Sequence, residues 1–198
     1  GLFNVENALE VIAAMLALGF SLDDVVRGVA ALEPPPGRMQ PVYSEGMLLG
    51  VVDFCHTPDA LQKALESLAP GVHARGGKLW TVFGCGGDRD PGKRPIMGAI
   101  AAKLSDHVIV TSDNPRSEDP ESIVREVAAG AAGAENVRIV TDRREAIHEA
   151  ILEAAPEDLV LVAGKGHESE QILKDGPHHF LDAEVVREAL NERRTREL

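Results

Sequence analysis

The chain has 198 residues, of which 20 are basic and 32 acidic, so its formal net charge is −12. This charge disfavours a nucleic-acid or anionic-membrane surface, because phosphates repel it, but it permits a small anionic ligand held by a local arginine cluster. Apolar residues make up 44% of the chain, which suffices for a core, and no apolar run is long enough to span a membrane. Cys55 and Cys85 are interpreted as reduced core thiols of a cytoplasmic protein.

The first 36 residues predict a helical segment that ends in a proline hinge. Residues 6–18 place apolar side chains at helical spacing, and Ser21 then fits the N-cap of a second helix. That helix ends before the triple proline at 34–36, because proline cannot continue a helix and forms a stiff extended connector. We therefore predict a domain boundary between residues 1–36 and residues 37–198.

Beyond the hinge, short apolar strands alternate with helices. Strands are predicted at 42–43 and 48–52, around a turn at Glu45-Gly46, and at 79–83, 107–111, 137–140 and 159–163. Helices are predicted at 58–68, 95–104, 120–132, 143–154 and 182–192. Apolar, β-branched strands are typical of a parallel sheet covered on both faces. The alternation predicts a doubly wound, mostly parallel α/β sheet, in which ligands bind at the carboxyl ends of the strands.

The loop 53–59 is the first loop of this kind. Thr57 fits the N-cap of the following helix and Pro58 its first position, which accounts for both residues structurally. Capping does not account for Asp53 and His56. Asp53 could orient a lysine, a Mg2+-bound water or a ribose, and His56 could serve either structure or function.

The glycine-rich loop 84–94 is the second. Its glycines permit close backbone approach to a ligand, and its N–H groups could hold an anion. Residues 87–93 fit the pattern G-x-x-x-x-G-K, but Arg94 stands where a nucleotide phosphate loop needs Ser or Thr. Two aspartates flank Arg89, and their negative charge would repel a triphosphate. Arg89 is therefore better suited to a carboxylate or a zwitterionic ligand than to a nucleotide. A phosphate-loop NTPase built on residues 87–94 remains a lower-ranked alternative.

Two further polar loops follow the strands at 107–111 and 159–163. The first contains Asp113, Asn114, Pro115 and Arg116. Arg116 could grip a carboxylate bidentately, or it could be a solvated arginine beside an Asx-turn. The run from Gly164 to Glu168 permits close approach, and Glu168 could receive an ammonium. All four loops follow the carboxyl ends of strands, so we expect them to converge at one edge of the sheet. There they would form a site for an amino acid with several carboxylates and an amine.

Taken in order, these motifs resemble the C-terminal domain of the Mur ligase family, in its diaminopimelate-adding type. Residues 3–7 and 37–39 are similar to the end of that family's central ATPase domain and to its hinge. The resemblance implies a Rossmann-like C-terminal domain preceded by a helical remnant of the ATPase domain. Phe54 and Cys55 depart from the Tyr and Ala usual there. Because the chain begins with Gly1, we expect a longer parent protein that carries the family's phosphate loop, carbamylated lysine and UDP-sugar domain.

The resemblance also implies an activity and its site residues. The parent enzyme would use ATP and Mg2+ to add meso-diaminopimelate to UDP-MurNAc-L-Ala-D-Glu through an acyl phosphate, in peptidoglycan precursor synthesis. The implied meso-diaminopimelate subsite consists of Arg89, Asp113, Asn114, Pro115, Arg116, Gly164 and Glu168. The implied ATP interface consists of Asn4, Asn7, Arg38, Asp53 and His56. In this family the run at 113–116 selects meso-diaminopimelate over lysine.

No catalytic residue and no metal ligand is assigned within this chain. We expect the chain alone to be inactive and monomeric, without nucleic-acid or membrane partners. An alternative of another class is a stand-alone amino-acid-binding module without catalysis.

Overall fold

The computed structural model describes residues 2–32, 34–44 and 47–196, without the side chains of 2–4, 44 and 47–49. The chain divides into two compact units, Gly1–Pro35 and Pro36–Leu198. The first unit holds α1 (Leu2–Ala17) and α2 (Leu22–Ala30). Ser21 caps α2, as predicted, by accepting a hydrogen bond from the Asp24 N–H. That this unit is the tail of an ATPase domain remains a prediction.

The second unit alternates strands with helices. Its strands are β1 (Gln40–Ser44), β2 (Met47–Asp53), β3 (Leu79–Phe83), β4 (His107–Val110), β5 (Val137–Ile139), β6 (Leu159–Ala163), β7 (Glu170–Leu173) and β8 (Gly176–His179). Its helices are α3 (Pro58–Ala74), α4 (Lys93–Leu104), α5 (Pro120–Ala129), α6 (Arg143–Glu153) and α7 (Asp182–Arg196). Among the described residues, we find no helix with both the length and the apolar character of a membrane span.

Within the described residues, six strands form one sheet in the order β1-β2-β6-β3-β4-β5. β1 pairs antiparallel with β2, and the other neighbours pair in parallel. The predicted doubly wound, mostly parallel α/β sheet is therefore confirmed. β7 and β8 form a separate antiparallel hairpin, for which no strand was predicted. Both strands have only four residues, and β8 holds Pro177 and mostly exposed side chains, so no apolar alternation marks them.

Helix α3 continues to Ala74, beyond its predicted end at residue 68. Pro70 lies inside the helix, where it removes one backbone hydrogen bond at a cost of about 3 kcal/mol. The side chain of Val72, two residues further on, is buried in the core, and this burial helps to offset that cost. Other element ends differ from the predictions by a few residues. The predicted turn at Glu45-Gly46 lies outside the described residues.

Two apolar clusters cover the two faces of the sheet. Because alternate residues of a strand point to opposite faces, Val82 and Val162 join the cluster beneath α6 and α7. Phe83 and Leu161 join the cluster beneath α3, α4 and α5. All residues of β3 and β6 are buried, so these central strands are apolar except at Thr81, whose hydroxyl is hydrogen-bonded. Burial on both faces thus explains the continuous apolar runs of the sequence.

A buried ion pair joins the first residues of α6 and α7 to the carboxyl edge of the sheet. Arg143 and Asp182, both with side chains 0% exposed, pair through Nε–Oδ1 and Nη2–Oδ2, each at 2.8 Å. The guanidinium also donates to the carbonyl oxygens of Ser112 and Ala163, where β4 and β6 end. The starts of both helices are therefore held against the edge from which the polar loops emerge.

Replacing Arg143 with Met should lower the free energy of unfolding by roughly 3–5 kcal/mol, because it leaves the Asp182 carboxylate buried without its counter-charge. Urea unfolding measures the change. The matched control is Arg125→Met, since Arg125 is exposed and its contact with Glu121 is a surface pair at 3.8 Å. The control should change stability by less than about 0.5 kcal/mol. Similar losses in the two variants would contradict the proposed importance of the buried pair.

Candidate functional site

Four polar loops lie side by side at the carboxyl edge of the sheet. They follow β2, β6, β3 and β4, which are consecutive neighbours in the sheet order. The Gly164 N–H donates to the Asp53 carbonyl at 3.0 Å, which joins the loops after β6 and β2. The Gly87 N–H donates to the Asn114 carbonyl at 2.9 Å, which joins the loops after β3 and β4. The convergence expected from the sequence is present in the structure.

Glycines of the loop after β3 fit against the loop after β4. A Cβ atom on Gly84 would lie 2.1 Å from the Thr111 carbonyl oxygen. A Cβ atom on Gly87 would lie 2.0 Å from the carbonyl oxygen of the buried Pro115. Protein backbone thus occupies the space beside both Cα atoms, and the absence of a side chain at Gly84 and Gly87 is what allows the two loops to meet. Close approach of a ligand to these glycines remains a prediction.

The phosphate-loop alternative at residues 87–94 finds no support in this geometry. The N–H groups of Gly87, Asp88 and Gly92 all donate to protein oxygens. A phosphate loop needs such groups free to hold the anion. Arg94 is buried, and its guanidinium pairs with Glu118 at 2.9 Å and with Glu126 of α5 at 2.8 Å. The loop is therefore held mainly by contacts with the following loop and with α5.

Asn114 lies at the centre of a polar network between the loops. Its side chain is buried, and its Oδ1 accepts from Lys165 Nζ at 3.0 Å and from the Ile172 N–H at 2.9 Å. Its Nδ2 donates to Glu168 Oε2 at 2.8 Å. Two donors at one end of the amide and a carboxylate at the other fix its orientation.

Glu168 offers a charged, half-buried carboxylate. Burial acts to raise the pKa of Glu168, but the hydrogen bonds from Asn114 and Lys165 hold this pKa below its usual range. Both hydrogen bonds end on Oε2, and the described residues form none with Oε1. The carboxylate is thus ionised at neutral pH and has an oxygen free to accept from a ligand ammonium.

Asp113 and Gly164 meet beneath this carboxylate. Asp113 is buried, and its Oδ1 accepts from the Asn114 N–H at 2.7 Å. Burial raises the pKa of Asp113, although the positive charges of Arg143 and Lys165 act to lower it. Gly164 has φ +116°, and a Cβ atom there would lie 2.7 Å from Asp113 Oδ2. Only glycine fits this position, so the pair supports the loop backbone below the surface of the site.

The two predicted arginines flank one glycine. Half-buried Arg116 donates through Nη1 to the Gly87 carbonyl at 2.8 Å and to the Asn114 carbonyl at 3.3 Å. A Cβ atom on Gly86 would lie 2.9 Å from Arg116 Nη1 and 3.7 Å from Arg89 Cγ. Arg89 itself is exposed. The structure therefore brings the two arginines into one neighbourhood, where a carboxylate could meet both.

An aromatic and basic cluster, consisting of Arg38, Phe54, His56 and His167, lies at the ends of β2 and β6. The Arg38 guanidinium carbon lies 5.0 Å from the Phe54 ring centroid. The ring of exposed His56 lies 4.6 Å from Phe54 edge-on, and that of His167 lies 5.3 Å away. A flat ring beside positive and polarisable groups suits a nucleotide base and its phosphates. No role was predicted for His167 from the sequence, although it belongs to the same run as Glu168.

Asp53 braces the backbone of the hinge. Its Oδ1 accepts from the Cys55 N–H at 2.8 Å, and its Oδ2 accepts from the Met39 N–H at 2.7 Å. Both carboxylate oxygens are therefore occupied by protein donors, where the sequence had suggested contact with a lysine, a metal-bound water or a ribose. Asn7 lies on α1, in the first unit, and is exposed. Asn4 also lies on α1, but its side chain is outside the described residues.

Lys165 and Gln171 are network members that the sequence analysis did not single out. Gln171 reaches from β7 to donate to Ser112 Oγ at 3.0 Å and to the Asp113 carbonyl at 2.8 Å. Lys165 is fully buried. A lysine between two glycines, directly after a wholly apolar strand, is a signal for burial and hence for paired acceptors.

The described residues include no group of three or more His, Cys, Asp or Glu side chains that could hold a metal ion.

Residues 37–166 match the family model described as Mur ligase, glutamate ligase domain. Over 193 residues, the chain is 50% identical to the UDP-N-acetylmuramoyl-L-alanyl-D-glutamate--2,6-diaminopimelate ligase of Acidovorax sp. (strain JS42), covering 98% of this chain and 38% of that protein. The chain thus spans about two fifths of the length of the curated relatives it matches.

Solved structures of two related ligases have the same fold. A structure of a UDP-N-acetylmuramoyl-L-alanyl-D-glutamate--2,6-diaminopimelate ligase matches with a TM-score of 0.74 and 43% identity, over 98% of this chain and 39% of that chain. The UDP-N-acetylmuramate-alanine ligase from Thermotoga maritima matches with a TM-score of 0.67 and 19% identity, over 100% of this chain and 39% of that chain. The second likeness concerns the fold alone.

Replacing Gly87 with Ala should lower the free energy of unfolding by roughly 1–3 kcal/mol, because the new methyl group meets the backbone of the opposite loop. The control is Gly71→Ala in α3, where a Cβ atom would have no neighbour within 4 Å. Alanine is the better helix former, so the control should raise stability by roughly 0.5–1 kcal/mol. Thermal unfolding of both variants checks the signs. A neutral Gly87→Ala would show that the two loops are not tightly packed.

Proposed function

The chain belongs to the Mur ligase family, and we propose that it is the carboxyl-terminal part of an ATP-dependent ligase that adds meso-diaminopimelate to UDP-MurNAc-L-Ala-D-Glu. The observation that carries this proposal is the arrangement of Glu168, Arg116 and Arg89 around Asn114. Glu168 is negative and lies close enough to Arg116 for that charge to act on its pKa. A carboxylate and two guanidinium groups complement the ammonium and the carboxylate at the distal end of diaminopimelate.

The proposed reaction forms an amide through an activated acid. ATP transfers its γ-phosphoryl group to the γ-carboxylate of D-Glu, which gives an acyl phosphate and ADP. The neutral amine of diaminopimelate attacks the acyl carbon, and the tetrahedral intermediate collapses to the amide with loss of inorganic phosphate and a proton. The part played by this chain is to hold the amino acid in line with the acyl phosphate, which lowers the entropic barrier.

The aromatic and basic cluster is assigned to the nucleotide side of this reaction. Phe54 would stack with the base, while Arg38 and His56 would approach the phosphates. Asp53 would contribute by holding the hinge backbone through the Met39 N–H. The assignment of Asn4 and Asn7 to ATP binding remains a prediction from the sequence. Mg2+ would neutralise the phosphates and would be held mainly by the central domain of the full-length ligase.

The subsite accounts for discrimination against lysine. Lysine carries the distal amine that Glu168 would receive, but it lacks the distal carboxylate. Half-buried Arg116 would then lose its counter-charge and part of its hydration, whereas exposed Arg89 would lose less. We therefore place most of the discrimination at Arg116, with a preference for meso-diaminopimelate of about 100-fold or more in kcat/KM.

Replacing Arg116 with Ala in the full-length ligase should raise KM for meso-diaminopimelate about 30-fold or more and leave KM for ATP within about twofold. Phosphate release at varied concentrations of each substrate measures both constants. Arg125→Ala, at an exposed position on α5, is the control and should change neither. Equal losses for both substrates would contradict the assigned role of Arg116.

Replacing Arg38 with Ala should have the opposite effect to replacing Arg116, because Arg38 belongs to the aromatic and basic cluster. We expect KM for ATP to rise about tenfold, with KM for meso-diaminopimelate within about twofold. The same phosphate-release assay measures both KM values. A loss confined to meso-diaminopimelate would remove Arg38 from the nucleotide side.

A further inference from the structure

Lys165 is a fully buried lysine that the proposed reaction leaves without a role. Its Nζ donates to Asn114 Oδ1 at 3.0 Å, to Glu168 Oε2 at 3.1 Å and to the Glu170 carbonyl at 2.6 Å. An ammonium has three N–H donors, so these acceptors satisfy it completely. Lys165 therefore has no N–H left for a substrate, and any effect it has on binding must pass through its partners.

The first partner, Asn114, owes its orientation to Lys165. If the amide were flipped, its NH2 group would face the Lys165 ammonium and the Ile172 N–H, which are both donors. The carbonyl end must therefore face Lys165, and the NH2 end must face Glu168. Lys165, together with the Ile172 N–H, thus determines which end of Asn114 the carboxylate meets.

The second partner, Glu168, owes both its position and its charge to Lys165. The ammonium holds Oε2, which leaves Oε1 to accept from a ligand. The hydrogen bond and the charge of Lys165 lower the pKa of Glu168, whereas burial raises it. Without the lysine, burial would be opposed by the Asn114 hydrogen bond and the charge of Arg116, and the carboxyl group would take up a proton at higher pH.

The backbone around Lys165 is fixed on both sides. Gly164 at φ +116° packs on Asp113, and Gly166 at φ +55° packs on Phe54, whose Cβ would lie 2.7 Å from a Cβ atom added there. The Glu170 carbonyl that completes the ammonium shell belongs to β7. The turn, the neighbouring loops and the hairpin therefore hold the lysine at one position.

We propose that Lys165 is a positioning residue for substrate selection, which holds Glu168 ionised and Asn114 oriented so that the site accepts an amino acid with a distal ammonium beside a distal carboxylate. This inference rests on the proposed function. It concerns a residue that acts through its neighbours and does not touch the substrate.

The test replaces Lys165 with Met in the full-length ligase, which removes the charge and keeps the length of the side chain. We expect KM for meso-diaminopimelate to rise about tenfold to 100-fold, with KM for ATP within about twofold. The acidic limb of the pH profile of kcat/KM for meso-diaminopimelate should move to higher pH by about one unit or more. Lys103→Met, at an exposed position on α4, is the matched control and should change neither constant.

A double-mutant cycle separates positioning from a general effect on structure. If Lys165 acts through Glu168, then Lys165→Met should add less than about twofold to the loss already caused by Glu168→Gln. If the losses in kcat/KM of the two single variants instead multiplied in the double variant, the proposal would be overturned. It would also be overturned if Lys165→Met raised KM for ATP as much as KM for meso-diaminopimelate, or left the pH profile unchanged. Where Lys165→Met fails to fold, Lys165→Gln keeps hydrogen-bond donors without the charge, and the same outcomes decide.

Failure of the proposed function would look different. In that case the unsubstituted full-length protein would release no phosphate in response to meso-diaminopimelate. A wild-type protein that uses meso-diaminopimelate, together with a Lys165→Met variant that behaves like wild type, would overturn the role of Lys165 alone.

Discussion

Burial of positive charge at the carboxyl edge of the sheet is the constraint on which this arrangement depends. Arg143 and Lys165 lie where water is excluded, so every one of their contacts must come from protein oxygens. Arg143 obtains them from Asp182 and from the ends of two strands, which sets where α6 and α7 begin. Lys165 obtains them from Asn114, Glu168 and β7, which sets the arrangement of the polar side chains at the candidate site.

Local pattern was enough to predict the sheet, because strands buried on both faces leave long apolar runs between helices. It was also enough to predict which loops converge, since parallel strands share one carboxyl edge. It could not reveal that Gly84 and Gly87 serve contacts between loops, or that Arg94 is buried against α5, because these partners are distant in sequence. The hairpin β7–β8 lacked any apolar alternation. The ligand-binding roles of the site residues remain predictions.

The loop after β6 is shared by the two surfaces of the candidate site. Gly164 packs on Asp113 at the amino-acid side, and Gly166 packs on Phe54 at the aromatic and basic cluster. Lys165 lies between these two glycines. A displacement of this loop at one of these surfaces would therefore also disturb its contacts at the other, which gives the two surfaces of the candidate site a direct physical connection.

The interlocked loops after β3 and β4 also limit how such a site can diversify. Backbone oxygens fill the space beside Gly84 and Gly87, so an insertion or deletion in one loop would require a compensating change in the other. Exchange of side chains at positions such as 89 and 116 requires no such coordination. New ligand preferences at the candidate site would therefore arise more readily by residue replacement on an unchanged backbone than by change of loop length.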